Sequence, residues 1–180
     1  MITGYFHIAL MADDAGMLIA ADMHSQIISS GLYDASDVIN LIFVGDDGKA
    51  QSLYNVLFRH YPKYVVRKCS LNLLEWEWAS LEIIQQDSSI GDEGTKIWYA
   101  HTKGSSKFVE NVPVQIQKNV DTWRRHLCHY MFNLHQEAAA KLDNHVAVGP
   151  LYIFGPERYM NDPSVKKPIP RTTTISLQSS

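Results

Sequence analysis

The sequence has few cysteines, no long apolar run and no large excess of one charge. Its two cysteines, Cys69 and Cys128, form no CxxC pattern, which predicts reduced thiols in a cytoplasmic protein. No apolar run approaches the ~20 residues that a transmembrane helix needs. The chain begins with strand-like residues and shows neither a basic leader nor a cleavage site. We therefore expect a cytoplasmic protein without a transmembrane segment.

The formal net charge is only -3, so the chain as a whole lacks the basic surface typical of nucleic-acid binding. Neither GxGxxG nor GxxxxGK[ST] occurs, which leaves dinucleotide and P-loop interpretations without a motif. What is present is a chain of 180 residues with 46% hydrophobic and 19% charged residues. This composition is typical of one globular domain, and we expect no nucleic-acid partner.

Strand-like and helix-like segments alternate four times along the chain. Residues 38–44 are almost continuously apolar, which indicates a strand covered on both faces. Residues 73–86 and 113–142 are predicted to form helices. The expected apolar stripe of the first helix contains Leu74, Trp78, Leu81 and Ile84. The expected apolar stripe of the second helix contains Ile116, Val120, Trp123, Leu127, Met131, Leu134 and Ala138. We predict an α/β fold with a Rossmann-like, mainly parallel sheet flanked by helices. The expected domain spans residues 1–162, followed by an extended tail, 163–180.

The fourth predicted strand ends in four residues that can bind a ligand, His101-Thr102-Lys103-Gly104. Side chains alternate along a strand, so His101 and Lys103 are expected on one side and Thr102 on the other. Lys103 suits a phosphate, and His101 can donate to a phosphate, ligate a metal or act as a base. Gly104 lets the backbone approach a ligand closely. The alternative is a polar strand end that turns into solvent.

Other strand ends are expected at the same edge, because the carboxyl ends of parallel strands lie together. Met11 ends the first predicted strand, Asp13 comes after it and Asp46 follows the second strand. These three residues are candidates for binding a cofactor, together with Thr102 and Gly104. Asp46 can meet a ribose hydroxyl. It can also serve only the backbone of the Gly-Asp-Asp-Gly turn.

The long predicted helix carries a further candidate, Arg124, beside the apolar stripe that contains Trp123. An arginine there can turn toward the sheet edge and bind a phosphate in a bidentate manner. Arg125 is expected to be solvated or paired with Asp121. Two histidines of this helix, His126 and His129, have the spacing of metal ligands but no third ligand nearby, which favours ordinary surface histidines.

The segment Ile97–Gly104, followed about twenty residues later by Trp123-Arg124-Arg125, resembles a group of glycosyltransferases with a strand that ends in His-Thr-Lys-Gly. Residues 30–34, Ser-Gly-Leu-Tyr-Asp, and the strand ending in Val44-Gly45 agree with this resemblance, which covers roughly residues 5–135. It implies a fold like the GT-A nucleotide-diphospho-sugar transferases. It also implies a nucleotide-sugar donor, with a UDP-sugar favoured as the commonest one, and a glycan or glycoconjugate acceptor.

The chain departs from that family pattern at two places. GT-A enzymes commonly hold Mn²⁺ or Mg²⁺ with an Asp-x-Asp after the fourth strand, where this chain has His101-Thr102-Lys103 and an earlier Asp92. Lys103 can neutralise a diphosphate instead. Residues 148–154 match only loosely the Ser-Gly-Asn-Phe-Trp-like segment that the family carries near the acceptor site. No feature of the sequence identifies Glu157 or Asp162 as the catalytic base. A non-catalytic nucleotide- or glycan-binding module, or another phosphate-ester enzyme, therefore stays open.

Overall fold

A computed structural model describes residues 1–91, 94–102, 104–105, 112–144 and 148. The strands in this part of the chain are Ile2–Leu10 (β1), Val38–Gly45 (β2), Tyr64–Ser70 (β3) and Lys96–His101 (β4). The helices are Ala15–Ser29 (α1), Leu32–Ala35 (α2), Asp47–Leu53 (α3), Trp78–Ile90 (α4), Val114–Cys128 (α5) and His135–Lys141 (α6). Leu73–Glu75 forms a 3₁₀ turn, and Tyr54–Phe58 and His129–Asn133 form π-helical turns.

The strands pair in the order β3-β2-β1-β4, and every pairing is parallel. The predicted Rossmann-like α/β fold is thereby confirmed. The chain moves outward from β1 to β3 and then crosses back to place β4 on the other side of β1. Ligands bind at the carboxyl ends of strands where the order reverses in this way. In this sheet that point lies between β1 and β4.

Two apolar layers cover the sheet. The larger one contains buried side chains of α1, the α3 region and the α5 region against β1 and β2, including Met23, Phe58 and Phe132. The smaller one packs Ala79 of α4 against Tyr5 and Ile42. Burial on both faces explains the continuous apolar run in β2. Among the described residues, no helix combines the length and the apolarity that crossing a membrane requires.

The expected apolar stripe of residues 73–86 is only partly confirmed. Leu74, Trp78 and Leu81 are exposed, whereas Ile84 packs half-buried against the smaller apolar layer. The fully buried positions of α4 are the small residues Ala79 and Ser80. Small side chains let this helix approach the sheet closely. A search for large apolar residues does not detect such packing. The helix also begins later than predicted, at Trp78, after a 3₁₀ turn.

The long helix after Pro113 is confirmed over residues 114–141, although a π-helical turn interrupts it. Its predicted apolar stripe is mostly half-buried, with Ile116 exposed. The fully buried positions lie one residue further along the chain, at Arg124, Cys128 and Phe132. Trp98 of β4 packs edge-on against Phe132, with 6.3 Å between ring centroids, which fixes this helical region on the edge strand.

The ends of β1 and β2 are in close contact with the structures that follow them. Gly16 of α1 lies so near the Ala9 carbonyl oxygen that a Cβ atom would clash with it. Gly45 has φ 122°, a conformation that favours glycine, and a Cβ atom there would clash with the Leu10 carbonyl oxygen. These two glycines let the first helix and the second loop pack directly on β1, beside the switch point.

Candidate functional site

A cleft of about 310 Å³ opens at the carboxyl ends of β1, β2 and β4. Its walls come from three strand ends, from the segment before α4 and from α5, and they include His7, Met11, Trp76, His101, Thr102 and Trp123. The cleft therefore lies where the strand order reverses. It contains four of the residues that the sequence indicated for binding or catalysis, namely Met11, His101, Thr102 and Gly104.

His101 is held by a carboxylate. Its Nδ1 lies 2.9 Å from an Oε1 oxygen of Glu77, the residue just before α4. The imidazole also stacks on Tyr99, the previous side chain on the same face of β4, with 5.9 Å between centroids and 20° between the rings. A carboxylate on Nδ1 fixes the ring orientation and favours the tautomer with Nε2 free to accept a proton. The arrangement is suited to a base or to a hydrogen-bonding partner of a hydroxyl group.

A second histidine lies behind the first. His7 pairs with His101 across β1 and β4 and is only 3% exposed, and its Nδ1 lies 2.9 Å from the Ser80 hydroxyl. Burial lowers the pKa of His7 to about 4, with the neighbouring His101 lowering it further and Glu77 opposing. His7 is therefore neutral at ordinary pH, and it adds an uncharged ring to the lining of the cleft.

Thr102 joins β4 to β1. Its Oγ1 accepts a hydrogen bond of 2.9 Å from the Ala9 backbone N–H, and its own N–H donates to the His7 carbonyl. The side chain is buried, although the residue lines the cleft. The expected alternation is confirmed for His101, which contacts the segment before α4, and for Thr102, which turns back to β1, whereas Lys103 lies outside the described residues. Gly104, at φ 88°, continues the turn.

Lys49 of α3 closes the loop after β1. Its Nζ donates to the carbonyl oxygens of Met11, Ala12 and Asp13 at 3.2, 2.7 and 2.6 Å, and it pairs with Asp14 at 2.9 Å. The Asp13 side chain uses Oδ1 to accept from the Ala15 N–H, whereas its buried Oδ2 has no hydrogen-bond partner. Asp13 thus keeps one acceptor without a donor near the first strand end, beside but outside the walls of the cleft.

Asp46 is the N-cap of α3. Its Oδ1 accepts from the Lys49 N–H at 2.8 Å, and its own N–H donates to the Leu10 carbonyl. Of the two interpretations of this turn, the structure shows the backbone one, in which the carboxylate satisfies the first turn of a helix. The residue is exposed and does not line the cleft.

Arg124 lies in a different place from the cleft. Its side chain is 6% exposed and binds Asp22 of α1 at 2.7 Å and Asp121 one turn earlier in α5. It lines a separate cavity of about 290 Å³ between β4 and α5, which shares Glu77, His101 and Trp123 with the cleft. The predicted Arg125–Asp121 pair is confirmed at 2.8 Å. Both carboxylates are engaged with Arg124, which makes it first of all a link between α1 and α5.

Lys103 and Asp92 lie outside the described residues, as do 149–154, Glu157 and Asp162. Within the described part of the chain, no three side chains are grouped as metal ligands, and His126 and His129 are exposed. Neither cysteine in the chain is bonded to the other, and Cys128 is buried.

The sequence analysis missed four residues of this site: His7, Trp76, Glu77 and Ser80. His7 could have been identified from the sequence, because a histidine inside an otherwise apolar strand is unusual. Glu77 and Ser80 could not, since their position depends on where α4 begins. Trp76 falls within the helix predicted for residues 73–86, and its backbone conformation cannot be inferred from residue types.

No family model matches this chain, and neither a curated protein nor a solved structure is significantly similar to it.

Proposed function

We propose that this protein is a glycosyltransferase that moves a sugar from a nucleotide-diphosphate donor to a hydroxyl group of a glycan acceptor. The observation that carries the proposal is the cleft between the ends of β1 and β4, with the His101–Glu77 pair in its wall. A parallel sheet with this strand order binds nucleotides at that edge. The His-Thr-Lys-Gly end of β4 and the later Trp-Arg pair give the resemblance to glycosyltransferases, which favours a UDP-sugar.

In the proposed reaction the acceptor oxygen forms a bond to the anomeric carbon of the donor sugar. The bond from that carbon to the diphosphate breaks, and its electron pair leaves with the nucleoside diphosphate. The proton of the acceptor hydroxyl passes to Nε2 of His101, while Glu77 balances the charge of the imidazolium from the other side. Lys103 is proposed to stabilise the leaving diphosphate.

The first strand end is proposed to receive the nucleoside. Asp13 offers a carboxylate oxygen without a donor, which a ribose hydroxyl would supply. Lys49 holds the loop in a fixed conformation. Asp46 is proposed to support this loop through its helix cap, and Arg124 to support the site through α5 rather than by touching phosphate.

Isothermal titration with UDP, GDP and dTDP, with and without Mn²⁺, tests the donor site. We expect one of them to bind, and Lys103→Ala to weaken it about 10- to 100-fold, since a charge-assisted hydrogen bond contributes about 1.5–3 kcal/mol. Lys118→Ala, on an exposed position of α5, removes the same charge outside the cleft and is the control. Failure of all three nucleotides to bind contradicts the donor assignment.

A non-catalytic module with the same fold is the second candidate. It is favoured by the missing Asp-x-Asp after β4. Incubation with nucleotide sugars distinguishes the two candidates. Released nucleoside diphosphate with multiple turnovers, lost in His101→Gln, supports the enzyme. Tight nucleotide binding without release supports the module.

A further inference from the structure

Trp76 combines two unusual properties. The indole is on the wall of the cleft, yet the residue is 54% exposed. Its backbone has φ 43° and ψ -138°, and it is the only non-glycine residue with positive φ in the described part of the chain. This conformation is close to the first central position of a type II′ turn, which glycine normally occupies. Strained backbone of this kind persists where surrounding contacts impose it, and it concentrates at binding sites.

The segment before Trp76 is fixed from two sides. The side chain of Asn72 caps the 3₁₀ turn by accepting from the Leu74 N–H at 3.1 Å. Glu75, immediately before Trp76, pairs with Lys68 of β3 at 2.7 Å. After Trp76, the Glu77 carbonyl accepts the first hydrogen bonds of α4. The chain therefore turns sharply at Trp76, and the turn presents the indole at the cleft while it places Glu77 beside His101.

The resulting wall has the chemistry that binds a sugar ring. An indole face accepts the C–H groups of one side of a pyranose, whose opposite charge distribution suits the negative π face. The adjacent Glu77 carboxylate and His101 imidazole can bind the hydroxyl groups at the ring edge. A purely apolar partner would leave these two polar groups without water or ligand, which is unfavourable.

We infer that Trp76 is the stacking platform of an acceptor-sugar subsite in which Glu77 and His101 bind the acceptor hydroxyl groups. The inference rests on the proposed function, because it identifies the acceptor as a pyranoside positioned beside the proposed base. The platform explains why an exposed tryptophan occupies a position suited to glycine. It also places the acceptor on the α4 side of the cleft and leaves the first strand end to the nucleotide.

Saturation-transfer NMR with the methyl glycosides of glucose, galactose, mannose and N-acetylglucosamine tests the subsite. In the wild-type protein we expect at least one glycoside to receive saturation, strongest on the protons of one ring face. Trp76→Ala should weaken that binding about tenfold, which corresponds to about 1.4 kcal/mol, because the variant loses the stacked ring. Trp76→Gly should bind equally weakly, and it removes the ring without keeping the backbone strain.

Trp78→Ala is the matched control. Trp78 lies two residues away and is 67% exposed, but it does not line the cleft. We expect it to leave glycoside binding within about twofold of wild type, and Trp76→Phe to retain most of the affinity. Equal losses in Trp76→Ala and Trp78→Ala, no loss in Trp76→Ala, or no saturation of any glycoside in the wild-type protein would each overturn the inference.

Titration of the same variants with the nucleotides separates this inference from the proposed function. Retained nucleotide binding in Trp76→Ala together with lost glycoside binding supports both. If glycoside binding depends on Trp76 but the protein binds no nucleotide, the sugar subsite is supported and the donor site is contradicted. If the protein binds a nucleotide but no glycoside, only the sugar subsite is contradicted.

Discussion

The two ends of the sheet carry cavities of similar size but opposite character. At the amino end, a cavity of about 360 Å³ is lined by Tyr5, Asn40, Arg67 and Asp87. Arg67 binds both oxygens of Asp87 at 3.0 Å and the Asn40 side chain at 3.2 Å, and the Tyr5 hydroxyl donates to Asp87 at 2.8 Å. Partial burial raises the pKa of Asp87, but its hydrogen bonds with Arg67 and Tyr5 outweigh this and lower the pKa. Thr95 Oγ1, in the lining of the same cavity, is buried without a hydrogen-bond partner.

The carboxyl end keeps groups that do not stabilise the fold. Trp76 is exposed and strained, and Asp13 Oδ2 has no partner. His7 is buried with a pKa lowered to about 4, which opposes folding at acidic pH. The comparison teaches that a cavity alone does not identify a site. Polar groups that bind one another serve the fold, whereas a strained backbone together with a buried carboxylate oxygen without a partner indicates where a ligand supplies what is missing.

The largest effect is expected from acidification. The unfolded chain protonates His7 near pH 6.5, but the folded chain resists protonation until pH is about 4. Protons therefore bind preferentially to the unfolded state in this window, and stability falls as pH drops through it, by about 3 kcal/mol for His7. Buried His24, whose pKa is also lowered, acts in the same direction.

Urea unfolding at pH 7 and pH 4.5 measures the loss, and His7→Asn should make the free energy of unfolding less dependent on pH. The exposed His126 provides the control variant, His126→Asn, which should follow the wild-type pH dependence. A His7→Asn variant as acid-sensitive as wild type would show that the buried imidazole is not the cause.

The second effect concerns the amino end. Asp87→Ala leaves the buried Tyr5 hydroxyl without an acceptor and Arg67 with Asn40 alone, so the free energy of unfolding should fall by about 2 kcal/mol. Asp87→Asn keeps one acceptor oxygen and should cost about half as much. Chemical denaturation gives both values. Nucleotide binding should be unchanged in Asp87→Asn, and a loss there would mean that the two ends are coupled.

The third change removes the hydroxyl that joins β4 to β1. Thr102→Val has nearly the same shape but leaves the Ala9 N–H without an acceptor, which should cost about 1–2 kcal/mol. Thr102→Ser retains the hydroxyl and should cost less. Thermal unfolding compares the pair. If the valine variant is as stable as wild type, Thr102 does not act as the structural link, and its predicted contact with a ligand gains weight.

The smallest effect should stabilise the protein. Trp76→Gly relieves the positive φ, worth about 1–3 kcal/mol, but adds flexibility to the unfolded chain, which offsets about 1 kcal/mol. We expect a net gain of about 1 kcal/mol by urea denaturation, whereas Trp76→Ala keeps the strain and shows no gain. Glycine and alanine variants of equal stability would indicate that the turn is not strained.

The parallel sheet could be predicted because its signals are local. Alternating strand and helix patterns, and the apolar run of β2, follow from burial on both faces. The residues through which α4 packs could not be predicted, because packing through Ala79 and Ser80 depends on how closely the helix approaches the sheet. The alternation of His101 and Thr102 followed from strand geometry, so half of the β4 tip was predictable.

Partners that come from distant segments were not predictable. The contact between Glu77 and His101 requires the turn at Trp76, and Arg124 is held by Asp22, which lies 102 residues earlier in the chain. A residue type shows what a side chain can bind. Whether an arginine or histidine binds a ligand or a carboxylate of the protein depends on which groups the fold places beside it. Asp46 illustrates the same limit, because a helix cap and a ribose contact require the same residue type at the same place.

The Lys49 contacts have a consequence for the energetics of binding. One ammonium group holds three successive carbonyl oxygens after β1 while it is anchored on α3, so the ends of β1 and β2 are cross-linked at a fixed separation. A ligand that enters between them finds the loop already ordered and loses little conformational entropy on binding. Neutralising this amine, by acetylation or by Lys49→Gln, would shift that ordering cost to the ligand.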